Sequence, residues 1–154
     1  MQSMSIAKRL SISLLYGGLS WQPVQADEQS RARGRSGLED LTHEMSTCAA
    51  YFSLLSSVIQ NSAGAETKAT AAERMKLTGQ AMLTQAINMA KYIGMDEHVP
   101  MERVQVRLKE MVETINKDPP NSLRTMHTKY GQPCDELLIN APQRFLGLLR
   151  EYSD

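Results

Sequence analysis

From Ser36 onward the apolar residues step by three and four with little interruption, the spacing of helices that each bury one stripe. Strand-like alternation is nearly absent. The pattern predicts an all-α fold: a bundle of three long helices plus shorter, proline-broken C-terminal helices. A first helix carries Leu38, Leu41, Met45, Cys48, Phe52, Leu55 and Ile59 on its stripe, with Ser36 and Glu39 placed as a capping box at its start. Cys48 therefore points inward.

Asn61-Ser62-Ala63-Gly64 breaks the period, and a second helix is expected from about Glu66 to Ile93, stopped by Gly94. Its stripe is Ala72, Met75, Gly79, Met82, Ala86, Met89 and Ile93. Every second position is small, so an antiparallel partner backbone can approach closely and fill the space with Leu41, Met45, Phe52 and Leu55. Leu77, Leu83, Ile87 and Ala90 lie outside that stripe and are read as widening the buried face, the rival reading being an exposed docking patch.

A third helix is expected from near Glu97, with Asp96 as its N-cap, Pro100 in its first turn and Met101, Val104, Leu108, Met111 and Ile115 on its stripe. Asp118-Pro119-Pro120 ends it. Leu123, Met126 and Tyr130 mark a short fourth helix stopped by Gly131. Pro133 then opens a fifth around Cys134, Leu137 and Leu138, and Pro142 divides this from a last helix bearing Phe145, Leu148, Leu149 and Tyr152.

The N-terminal stretch has a different grammar. Lys8 and Arg9 precede a mostly apolar run from Leu10 to Trp21, and Val24-Gln25-Ala26 supplies small residues at cleavage spacing, so residues 1–26 read as a secretory signal peptide cut after Ala26. The apolar run is shorter than the roughly 20 residues a bilayer span needs. Stable membrane insertion after cleavage is therefore not expected, and the product is placed in the periplasm or outside the cell. Residues 27–36, with Arg31, Arg33 and Arg35 among Gly, Ser and Gln, read as a flexible basic leader, and 37–154 as a single helical domain.

That address changes the meaning of the two cysteines. In an oxidising compartment Cys48 and Cys134 are expected to form one disulfide, whose closed loop is worth about 4–5 kcal/mol in the chain-entropy model. Cleavage would leave fifteen Lys and Arg against seventeen Asp and Glu, a net charge of −2, which is no nucleic-acid signature.

Candidate chemistry is sparse. His43, His98 and His127 stand in no metal or catalytic motif, no phosphate-binding glycine loop is present, and Cys-x-x-Cys is absent. No catalytic, cofactor or metal residue is assigned. Ten methionines, with Met75, Met82 and Met89 at intervals of seven, raise a copper(I) site built from thioether and imidazole ligands, but those positions fall on the stripe assigned to the core. The first reading is an exported, non-enzymatic helical protein that binds another protein or supports an envelope assembly. The alternative is a Met/His copper-binding protein of the periplasm.

Overall fold

The computed structural model describes residues 22–62 and 66–153, and among them every regular element is helical. Helix α1 spans Gln22–Asn61, α2 Glu66–Tyr92, α3 Val99–Lys117, α4 Pro119–Met126 and α5 Gln132–Ser153, with a π-helical turn at His127–Gly131 joining the last two. The three long helices and a C-terminal arm interrupted at proline make an all-α bundle. None of the described helices is long and apolar enough to cross a membrane.

Helix α1 is the axis against which α2, α3 and α5 pack. Its 40 residues make a rod of roughly 60 Å at 1.5 Å per residue. The expected stripe of Leu38, Leu41, Met45, Cys48 and Phe52 is buried along it, with Leu55 packed at the margin. Thr42 and Ser46 lie within the same face and lose no hydrogen bond by it, since each hydroxyl donates to the carbonyl four residues back at 2.8 Å.

The α1–α2 pairing follows the small positions of α2. A Cβ placed on Gly79 would stand 3.1 Å from the Ala49 carbonyl oxygen, so the glycine lets the two backbones close together. Ala72 and Ala86 are fully buried on the same stripe, and Ser56 reaches across to donate to the Ala72 carbonyl at 2.8 Å. Gly94 ends α2 as expected. It adopts φ +71°, Gly94 N–H donates to Lys91 O and Met95 N–H to Ala90 O, the paired bonds of a Schellman cap.

Several boundaries differ from the sequence reading. Ser36 is not a cap: α1 continues through 27–36, so the stretch read as a flexible leader is helical. Gly34 and Gly37 are the physical reason, for they face α5 rather than breaking the chain, and a Cβ on Gly34 would stand 2.5 Å from the Tyr152 nitrogen. The signal segment 1–26 lies outside the described residues except for 22–26, the first turns of α1.

Helix α3 begins at Val99 rather than near Glu97, because Asp96 closes a turn one step earlier: its Oδ1 accepts the His98 N–H at 2.9 Å and its carbonyl accepts that of Val99. Pro100, in the first turn, is buried, whereas Met101 is exposed. Gly131 likewise does not stop a helix. A Cβ there would run into the His127 imidazole of the same turn and stand 2.8 Å from the Tyr51 hydroxyl, so its smallness makes room for both, and the chain passes through a π turn in which Gln132 N–H donates to His127 O. Pro142 sits inside α5 and deprives the Leu138 carbonyl of its helical donor.

Cys48 and Cys134 stand at disulfide distance, 1.98 Å between sulfurs, linking the middle of α1 to the first turn of α5. Both are buried in the core cluster that also holds Tyr51, Met126 and Tyr130.

Candidate functional site

Helices α2 and α5 lie against the same rod but do not pack backbone to backbone on each other. They meet at one end, where the Tyr92 and Tyr152 rings contact edge to face with centroids 5.6 Å apart. Elsewhere they diverge and leave an open groove of about 490 Å³. Its floor is Met45 of α1 with Met89, one wall carries Gln85, Asn88 and Tyr92, and the other Pro142, Phe145 and Leu149.

The groove walls are almost uncharged. From Leu77 to Ala90 α2 carries no charged residue, although Gln80, Ala81, Thr84, Gln85 and Asn88 are all exposed. Between Leu137 and Leu149 α5 carries one, Arg144, and its guanidinium is turned away to fork onto the Glu44 carboxylate of α1, with Nη2 donating to Oε1 at 3.1 Å. A solvated helix normally alternates charge along its outer face. Here the outer face offers amide and hydroxyl groups that donate and accept without a strong desolvation cost, beside thioether, proline and aromatic surface. Such a lining suits an apolar side-chain row flanked by neutral polar groups.

On the other side of α5 the surface is ionic. Asp40, His43, Glu44, Arg144 and Glu151 line a shallow cleft of about 480 Å³ between α1 and α5. Burial lowers the His43 pKa below its usual 6.5, and Arg103 of α3 adds to the effect. A third, apolar pocket of about 270 Å³ lies among α1, α3 and α4, with Tyr51, Ile115, Met126 and His127 on its walls. Burial, with the Asp135 carboxylate second, raises the Tyr51 hydroxyl above its ordinary value.

The histidines are not brought together. His43 faces the ionic cleft, His98 precedes α3 on the surface, and His127 opens the π turn. Among the described residues no histidine side chain hydrogen-bonds a carboxylate, and no group of three His, Cys, Asp or Glu is clustered for a metal ion. Met82 and Met89 are buried and Met75 packs on the same core, so the methionine row lies against α1. Of the extra apolar residues on α2, Ala90 is buried, Leu83 and Ile87 are partly so, and Leu77 is exposed. Widening of the buried face accounts for the first three and not for Leu77.

No protein-family model, no curated protein and no solved structure matches this chain.

Proposed function

We propose that this chain is an exported, disulfide-stapled helical protein that acts without chemistry of its own, by binding another protein in the groove between α2 and α5. The observation that carries this reading is the groove itself: two helices held apart on a common rod, with neutral walls and a methionine floor, leave the place that a further helix would occupy in a closed bundle. An apolar helix stripe from a partner is the natural occupant, anchored by side chains entering beside Phe145 and Met89. Flexible thioethers on the floor adapt to the anchor's shape.

Two features support export to the periplasm or beyond. Cleavage after Ala26 would leave Asp27 and Glu28 in the first turn of α1, where the helix dipole favours negative charge. Both cysteines are used in one pair at disulfide distance between distant segments, an arrangement at home in an oxidising compartment.

The test is site-specific cross-linking in the native envelope fraction. A photoreactive residue at Gln85, in the groove, is expected to capture a discrete partner that the same group at Gln105, an exposed residue of α3, does not. Asn88→Glu, which sets a charge in the groove at an exposed position, is expected to abolish the product. Capture of nothing at position 85, or of the same products from both positions, would sink the reading.

A further inference from the structure

Helix α5 is apolar on more than its buried side. Leu138, Ile139 and Leu146 are exposed by 45, 77 and 49%, and Pro142 is exposed between them. Ile139, Pro142 and Leu146 are spaced by three and four, which sets them on one outward ridge of the helix. One turn before this row stands Asp135 and one turn after it Arg150, both exposed. Among the described residues neither enters a salt bridge.

We infer that this ridge is the interface of a symmetric dimer in which the α5 helices of two copies lie antiparallel. The arrangement of charge selects both the occupant and the direction. A second α5 centred between Pro142 and Gln143 places Ile139 of each copy opposite Leu146 of the other, and each Asp135 opposite Arg150. Both pairings fall in one register, and each occurs twice, which is the condition for an isologous two-fold interface.

A parallel pair would instead set Asp135 against Asp135 and Arg150 against Arg150, and would align rather than oppose the helix dipoles. The ridge is short, about four helical turns, at the small end of stable interfaces, so the association expected is weak and concentration-dependent. Its residues other than Pro142 lie outside the groove lining, and the pairing is a separate claim from partner binding there.

Sedimentation of the protein, purified in the form in which it accumulates, tests the inference over a concentration range spanning about three decades. A monomer–dimer equilibrium is expected. Ile139→Asp should leave only monomer, with helicity unchanged because the side chain is exposed. Asp135→Arg and Arg150→Asp should each weaken association about tenfold or more, and the double reversal should recover most of the loss by restoring opposite charges across the interface. Monomer throughout, a dimer indifferent to Ile139→Asp, or charge reversals whose effects merely add would overturn it. Asn88→Glu in the groove should leave the dimer intact, so failure of groove binding and failure of dimerisation give different results.

Discussion

At the scale of single residues, His43 shows how the α1–α5 contact reaches into solution behaviour. Its imidazole lies where burial disfavours the charged form, and Arg103 repels the proton further. The unfolded chain, with an imidazole near 6.5, therefore binds more protons than the folded one in the window just below that value. The contribution of His43 to stability is fully present above about pH 6.5 and is lost as the pH falls toward the lower folded-state pKa. In His43→Gln that part of the decline is lost. Urea denaturation of both proteins between pH 7.5 and about 5 checks this: the stability difference should shift in favour of the variant as the pH falls. Curves that stay parallel across the range would show that His43 is not held neutral by the fold.

At the scale of elements, the helices and their inner faces were legible because burying one side of a helix imposes a period that survives in any single sequence. Leu38 to Phe52 on α1 and Ala72 to Ile93 on α2 carry it, and Gly94 is legible as a stop because a left-handed cap favours glycine. The start of α1 was not, since residues 27–36, with Gly34 among Arg, Ser and Gln and no apolar period, read as a flexible leader until the neighbour that needs the smallness of Gly34 is known. Gly131 misleads in the same way. Gly34 gives the sharper test, because its neighbour is the Tyr152 backbone, which cannot swing aside as a side chain can. Gly34→Ala raises helix propensity yet should destabilise by about 1–3 kcal/mol, the usual range for overpacking, read from the urea midpoint. A gain in stability would mean that the α1–α5 crossing is looser than described.

At the scale of the whole molecule, the groove was only half legible. The charge-free run from Leu77 to Ala90 is visible in the sequence, but whether it faces a core or an opening depends on which helices share α1, and no periodicity encodes that. The disulfide pairing needed no such information, because two cysteines allow one bridge. Its stabilisation comes mainly from the denatured ensemble, which loses the freedom of a loop 86 residues long. Replacing both cysteines by serine should cost about 2–5 kcal/mol with the helix content of the folded protein retained, as seen by circular dichroism during denaturant titration. Reduction of the wild type should produce a similar loss.

The same bridge decides how the molecule answers a pull. Gly34 of α1 and Tyr152 of α5 lie side by side, so the two ends of the folded body leave from one pole, and tension between them opens that crossing like a zip. Peeling runs down to Cys48 and Cys134 and halts, because force then passes through sulfur and bypasses everything between. The α2–α3 body and most of its core would hang unloaded behind the link, while α1 before Cys48 and α5 after Cys134 act as extendable arms. A protein anchored by its two ends would thus give way by a fixed length and keep its centre folded.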